Sequence, residues 1–308
     1  MSVPTTARAC WCGHPHLEPF SEFYRVCRTC GSLVSQAPYR ADIYGDDYWQ
    51  GRQTERHGLP DIRRRARLDL PERCTYWLRH LLSLRLPPGR VLEVGCAHGG
   101  YVALLGWAGF EAVGTEMSPG VAAIAHELFG VRVVAGPVEQ QDFKEESFDV
   151  IVLNDVIEHL PDPVATLTHC ARLLAKDGLF VIQTPEYKEH LSFEELQAGD
   201  DMFLKHMEKK QDEHLYLFSR RSIQLLLSRV GFPRVAFANP IFPYDLFLSA
   251  SRGALAPIGD AAVEAALSGR PVGRLVQALL DKAYESNDRW WAMQRLEARL
   301  GPGPSRAP

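Results

Sequence analysis

Glu93-Val94-Gly95-Cys96-Ala97-His98-Gly99-Gly100 is the stretch whose reading decides the fold. Before it, the apolar run Val91, Leu92, Val94 predicts a buried strand; after it, Tyr101 to Ala108 predicts a helix. A strand, a glycine-bearing turn and a helix N-terminus make the nucleotide cradle of a doubly wound α/β sheet. In the dinucleotide version the loop is Gly-x-Gly-x-x-Gly and receives a pyrophosphate. The spacing here differs, and Glu93 stands where that dianion would have to sit. Two further acids, Glu116 and Asp155, fall at the ends of the second and fourth strand candidates. Three carboxylates around one crevice suit a ligand that carries cations and no phosphate.

Outward from this stretch, strand and helix signals alternate strictly, the mark of a parallel sheet. Strands are predicted at Arg90–Val94, Glu111–Thr115, Val131–Ala135, Phe148–Asn154 and Leu179–Thr184. Helices are predicted near Tyr101–Ala108, Pro119–Phe129 and Val164–Leu174, the last closed by Lys176-Asp177-Gly178. Upstream, Asp61 to Leu86 carries a helical stripe of Trp77, Leu78, Leu81 and Leu82 that Pro87-Pro88-Gly89 breaks. Downstream, the charged segment Pro185 to Phe218, dotted with Met202, Phe203, Met207 and Tyr216, reads as a lid or substrate wall. A helix at Arg221–Val230 follows, and Arg234–Ala238 with Asp245–Ser251 predicts an antiparallel hairpin at the far edge of the sheet. Gly253 to Pro271 reads as linker. Val272, Leu275, Val276, Leu279 and Leu280 then form an amphipathic stripe leading to Trp290-Trp291, expected to be core or a homodimer contact through a C-terminal helix. The resulting division is 1–40, 41–88 as linker and helical cap, 89–253, and 254–308.

The 308 residues leave room for one large α/β domain with smaller appendages. A net charge of −4 argues against an electrostatic hold on nucleic acid or on an anionic membrane. The local basic run Arg63-Arg64-Arg65 with Arg67 reads as one solvated helix face. No apolar stretch approaches the ~20 residues needed to span a bilayer. The N-terminus has neither the charged start nor the apolar core of a signal peptide. Seven cysteines, an odd number, then suit a reduced, cytoplasmic chain.

Four of those cysteines come in pairs, Cys10-x-Cys12 and Cys27-x-x-Cys30, each followed by glycine. Zinc knuckles turn backbone amides toward thiolates, which glycine permits, and a structural Zn2+ explains how forty core-poor residues order at all. The first pair is one residue tighter than Cys-x-x-Cys, so His14 or His16 is an alternative to Cys10 as a ligand. Cys74, Cys96 and Cys170 are isolated and read as packing residues.

S-adenosylmethionine, with its ammonium, sulfonium and ribose diol, meets the requirement set by the three acids. Residues 89–253 resemble the class I S-adenosylmethionine-dependent methyltransferases, with four blocks in register: Glu93-x-Gly95-x-x-x-Gly99; Val113-Gly114-Thr115-Glu116; Phe148-Asp149-Val150-Ile151; and Asn154-Asp155-Val156-Ile157-Glu158-His159-Leu160-Pro161-Asp162-Pro163. The last block resembles the branch containing quinone-biosynthesis O-methyltransferases and many sugar methyltransferases. The resemblance implies a Rossmann-like class I methyltransferase sheet, mostly parallel with a terminal antiparallel hairpin, between an N-terminal zinc knuckle and a C-terminal helical extension. Gly95, Cys96, Ala97 and Gly99 then approach the cofactor through backbone, Glu93 faces its methionine end, and Glu116 beside Met117 takes the ribose hydroxyls. Val138 and Glu139 edge the adenine, and Asn154 and Asp155 stand by the sulfonium. Pro137 replaces an aspartate that many relatives use toward the adenine amine. Glu158 and His159 are expected to brace the loop after the fourth strand.

The N-terminal knuckle and Tyr44-Gly45-Asp46-Asp47-Tyr48-Trp49 resemble the front of the sugar methyltransferases. Asp212-Glu213-His214-Leu215 resembles their Tyr-x-Glu-His-Leu segment, with Gln211 at the tyrosine position. That likeness implies His214 as the base, with Glu213 orienting its ring, or a wall or helix-capping role for His214. Tyr44, Tyr48 and Trp49 are expected to pin the knuckle to the sheet, or to stack on a sugar or base. The expectation is thus methyl transfer to a small molecule: a sugar, nucleotide-linked sugar or glycan. The alternatives are a quinone or phenol O-methyltransferase and, from another class, a non-catalytic zinc-module adaptor with a vestigial cofactor pocket.

Overall fold

The structure, a computed structural model, describes residues 8–39, 44–46, 48–199, 202–208 and 210–300, with the side chains of 50, 52, 56, 57, 205 and 286–300 outside the description. Asp47 and the Trp290-Trp291 side chains therefore lie outside the described residues.

Three short strands come first, β1 (Glu18–Pro19), β2 (Tyr24–Cys27) and β3 (Ser32–Ser35). A helical cap follows, α1 (Gln53–His57), α2 (Ile62–Asp69) and α3 (Thr75–Leu82). The single helix expected between Asp61 and Leu86 is divided by a wide turn over Leu70–Cys74. Pro71 lies in that turn and has no amide to donate, so regular i to i−4 bonding is interrupted there. The α3 stripe of Trp77, Leu78, Leu81 and Leu82 is buried as its spacing requires.

The alternation then proceeds as β4 (Arg90–Val94), α4 (Gly100–Ala108), β5 (Glu111–Glu116), α5 (Pro119–Phe129), β6 (Val133–Ala135), β7 (Phe148–Asn154), α6 (Pro163–Leu173) and β8 (Leu174–Pro185). Beyond it come α7 (Phe193–Ala198), α8 (Phe203–Glu208), β9 (Tyr216–Leu217), α9 (Arg220–Arg229), β10 (Arg234–Ala238), β11 (Asp245–Ser251), α10 (Asp260–Ser268) and α11 (Pro271–Leu300). The strand order of the large sheet is β10-β11-β8-β7-β4-β5-β6. Its interior pairs are parallel, and only β11 runs against its neighbours β8 and β10. Both faces are covered, so β7 alternates Val150 and Val152 toward Leu78 and Leu104 with Ile151 and Leu153 toward Leu167 and Ile223.

Three further segments depart from the sequence reading. Lys176-Asp177-Gly178, expected to close the helix before it, lies inside β8, which starts at Leu174 because that residue already pairs with Phe148 of β7. Where a linker was expected, α10 forms over an alanine-rich run between Gly259 and Gly269, with Leu267 fully buried against the sheet's helical cover. The stripe on α11 is split: Val276 and Leu280 are buried, whereas Val272 and Leu275 are exposed. A further element was not anticipated at all. Strand β9 pairs antiparallel with β3, Leu33 against Leu217 and Val34 against Tyr216, and completes a second sheet in the order β1-β2-β3-β9. Among the described residues no helix is long and apolar enough to cross a membrane.

Candidate active site

The chain leaves β4 for β5 and β6 on one side and returns to β7 on the other, so the order of strands reverses between β4 and β7. Open α/β sheets bind ligands outside the carboxyl ends of the strands at such a reversal. The loop 95–99 and the end of β7 both lie there. Gly95 has φ 69°, and a β-carbon on it would come within 2.8 Å of Val156 Cγ2 from the loop after β7. Gly95→Ala therefore meets a contact and an unfavourable backbone region together, the latter costing about 1–3 kcal/mol. Its thermal midpoint is expected to fall, and Val156→Ala in the same chain to recover only the contact part; an unchanged midpoint in the single variant contradicts this.

The loop is latched from outside. His98 Nδ1 accepts the Gly100 amide at 3.1 Å, and its Nε2 lies 3.1 Å from Asp69 Oδ2 at the end of α2. Glu116 takes the Ala97 amide on Oε2 and the Ser118 amide on Oε1, both at 3.0 Å, which ties the loop to the end of β5. Burial raises the Glu116 carboxyl above its ordinary range, and those amides partly offset it. Each of its oxygens retains acceptor capacity for a diol.

Glu93 is 4% exposed at the end of β4, and its Oε2 has no hydrogen-bond partner. Burial, then the nearby Glu116 charge, pushes its carboxyl well above the usual carboxylate range. Both side-chain polar atoms of Asn154, at the end of β7, are likewise buried and unpartnered. The buried Trp49 indole nitrogen lies near Glu116 but outside hydrogen-bond geometry. Buried polar groups normally have partners. Orphans of this kind, two of them at the strand ends that flank the reversal, fit a cationic, hydroxyl-bearing cofactor.

The remaining predicted cofactor contacts are placed as follows. Cys96 is buried and Ala97 sits at φ 45° within the loop; Val138 is buried, and Met117 is 44% exposed at the rim. The Glu139 carboxylate accepts from the Thr166 hydroxyl of α6. Asp155, at φ 55°, receives Arg73 Nη1 at 2.9 Å and Gln183 Nε2 at 3.1 Å. Burial alone would raise the Asp155 carboxyl, but Arg73, Gln183 and Lys210 more than offset it and hold it below its usual range. Its charge is therefore matched by Arg73, a residue that the sequence pattern did not mark.

Beside Asp155 lies a second, buried polar group. Thr184 Oγ1 donates to Glu158 Oε2 at 2.9 Å, and Glu158 Oε1 lies 3.8 Å from His159 Nε2. Burial and then Asp155 raise the Glu158 carboxyl. The His159 ring meets His214 at 4.8 Å between centroids, and His206 stacks on His214 at 5.5 Å. Burial keeps His159 and His206 neutral, lowering each to about 4, and depresses His214 further. Glu158 and His159 were expected to brace the loop; their bonds to Thr184 and to the Glu213 carbonyl tie it to β8 and to the 213–215 segment, and the His159 ring also meets His214 edge-on. The Glu213 carboxylate accepts from Tyr48 OH at 3.1 Å, and its carbonyl from His159 Nδ1 at 3.0 Å. Tyr44 OH is 2.7 Å from the same His159 nitrogen. Asp46 accepts the Gly120 amide at 2.9 Å, so Asp46 touches the α5 N-terminus while Tyr44 and Tyr48 touch the histidine wall.

The wall is held by the small sheet. Tyr24 OH donates to the His214 carbonyl at 3.0 Å, and the Leu215 amide donates to the Glu158 carbonyl at 2.7 Å. At the other end of that sheet the thiols of Cys10, Cys12, Cys27 and Cys30 all lie within 4.8 Å of one another. Cys10 Sγ is 3.4 Å from Cys30 Sγ, and Cys12 Sγ is 3.6 Å from Cys27 Sγ. Four thiolates about 2.3 Å from a tetrahedral zinc stand roughly 3.8 Å apart, so the four-sulfur donor set fits that ion. The Gly13 and Gly31 amides turn back to the Cys10 and Cys27 carbonyls. His14 and His16 lie on the exposed side of the knuckle.

A sequence model of the methyltransferase domain family matches residues 65–236. An uncharacterised protein of Methanocaldococcus jannaschii is 27% identical over 167 residues, 52% of this chain and 73% of that protein. A ubiquinone biosynthesis O-methyltransferase of Xanthomonas axonopodis pv. citri is 32% identical over 111 residues, 33% of this chain and 46% of the relative. The chain thus spans less than half the length of that relative. Among solved structures, magnesium protoporphyrin IX methyltransferase from Synechocystis PCC 6803 with bound SAH gives a TM-score of 0.48 at 18% identity, over 67% of this chain and 97% of that one. The family match spans the crevice strands and the histidine wall, and the chain belongs to the class I S-adenosylmethionine-dependent methyltransferases.

Proposed function

We propose that the chain methylates a hydroxyl of a saccharide-containing small molecule: a sugar, a nucleotide-linked sugar or a glycan end. The observation that carries this reading is the buried polar wall of Glu158, His159 and His214 beside Asp155, because a hydrogen-bonding wall suits a polyhydroxyl acceptor. Bound S-adenosylmethionine supplies an electrophilic methyl group on a sulfonium. The protein's part is to hold the two reactants in line, to exclude water and to take the acceptor's proton. In this reading Glu93 offers its unpartnered oxygen to the methionine end, Glu116 takes the ribose diol, and Gly95, Cys96, Ala97 and Gly99 line the close approach. Asn154 and the Arg73-matched Asp155 stand between cofactor and acceptor, with Met117 and Val138 at the adenine edge.

His214 is the proposed base. Its ring stacks on that of His206, and His214 Nδ1 has no partner. Burial keeps the imidazole neutral, so that nitrogen offers a lone pair. The role imagined for Glu213 changes with the geometry: through its carbonyl it fixes His159, and its carboxylate holds Tyr48. Turnover with labelled cofactor and a panel of nucleotide sugars, glycans and phenols tests the reading, and a clear preference for phenols refutes it. A phenol or quinone acceptor is the second reading, supported by the relatives named for ubiquinone biosynthesis.

We further propose that the four thiolates hold a structural zinc that keeps β3 in place for β9. Cys27→Ser is expected to lose the metal and, with it, hydrogen-exchange protection of the Tyr216 and Leu217 amides. Protection that survives metal loss would show that the knuckle does not support the histidine wall.

A further inference from the structure

The acceptor wall carries a feature that proton transfer does not require. His159 Nδ1 is engaged from two sides, 3.0 Å from the Glu213 carbonyl and 2.7 Å from Tyr44 OH. The other ring nitrogen, Nε2, is thereby turned toward Glu158 Oε1, 3.8 Å away. His214 stands beside it, its ring stacked on His206 and edge-on to His159, and its Nδ1 is buried without a partner. Two imidazoles, one of them tied to backbone through Nδ1, and one carboxylate thus present ligand atoms within 4.8 Å of one another. Metal-binding histidines are oriented in this way, by a carbonyl or carboxylate on the nitrogen that does not bind the ion.

We propose that Glu158, His159 and His214 form a site for a borderline transition-metal dication of the Zn2+, Co2+ and Ni2+ class, and that its occupancy silences the base. Imidazole and carboxylate donors suit such ions, which bind at about 2.0–2.2 Å, so tetrahedral ligand atoms stand roughly 3.4 Å apart. The 3.8 Å between Glu158 Oε1 and His159 Nε2 needs only a small contraction. The Asp155 carboxylate near Glu158 is already paired with Arg73, and Lys210 adds positive charge nearby, so the three ligands themselves must supply the attraction for the ion. The inhibitory consequence rests on the reading of His214 as the base, because ion and proton compete for one lone pair; the binding does not rest on it.

Co2+ is the probe, added to full-length protein whose four-cysteine knuckle is loaded with zinc. One equivalent is expected to give visible absorption without the intense sulfur-to-cobalt charge transfer of a thiolate site. Turnover is expected to fall with the same half-saturation as the absorption rises, and to recover on dilution. Glu158→Gln and His214→Asn should each weaken Co2+ binding by at least about 10- to 100-fold, while S-adenosylmethionine affinity and thermal midpoint verify that both variants are folded. Absence of the non-thiolate absorption overturns the site and leaves the base assignment standing. Absorption accompanied by unchanged or higher turnover overturns the inhibition, and the base assignment with it.

Discussion

His214→Asn lowers kcat by roughly 10²–10⁴-fold, the range that general-base assistance supplies, while S-adenosylmethionine binds almost as before. The separation follows from the geometry. His214 lies in the loop between α8 and β9, whereas the cofactor crevice is lined by the ends of β4, β5 and β7. A sugar hydroxyl is too weakly acidic to ionise unaided at neutral pH, so its proton needs an acceptor as the oxygen attacks. Asparagine keeps a polar group at the position and removes the basic nitrogen. Rapid-quench turnover alongside calorimetry of cofactor binding separates the two effects. Unchanged kcat, or a parallel loss of cofactor affinity, refutes the assignment.

Glu93→Gln weakens S-adenosylmethionine binding by about 10- to 100-fold, corresponding to the roughly 1.5–3 kcal/mol typical of a hydrogen bond to a charged group. In the free protein burial and Glu116 raise the Glu93 carboxyl, so it holds a proton at pH values where an exposed glutamate has lost it. A cation arriving beside it favours the ionised form, so binding releases that proton and affinity rises with pH through the raised pKa. The sign for the free protein is opposite. Its folded pKa lies above the unfolded one, so the native state binds more protons in that interval and stability falls as pH climbs through it. Glu93→Gln is thus expected to raise the thermal midpoint of the free protein at neutral pH even as it loses the cofactor. Calorimetry in buffers of different ionisation enthalpy measures the released proton. Equal release by wild type and variant would place the titrating group elsewhere.

The large sheet was legible because β4, β7 and the second half of β8 are buried nearly throughout and read as largely apolar runs. Glu93 and Glu116 could be located because acids at the ends of such runs stand out. Arg73 could not: it lies in an irregular turn, and its meaning comes only from Asp155, far away in sequence. Strand β9 is two residues long and exists because β3 offers an edge, so no local pattern could announce it. The pairing of Glu213 with His214 failed for a local reason. Neighbouring side chains diverge, and the Glu213 carboxylate turns to Tyr48 while the His214 ring meets His159 and His206. The helix α10 was readable from its alanines; the flanking glycines and prolines masked it.

The four-stranded sheet takes three of its strands from the first thirty-five residues and the fourth from Tyr216–Leu217. Its two contributors are thus separable on paper but not in the folded molecule. A chimera made by exchanging only the front of the chain would graft a foreign edge against β9 and displace the wall behind it. Evolution or engineering of a new acceptor preference must therefore move both ends of that sheet as one inherited unit.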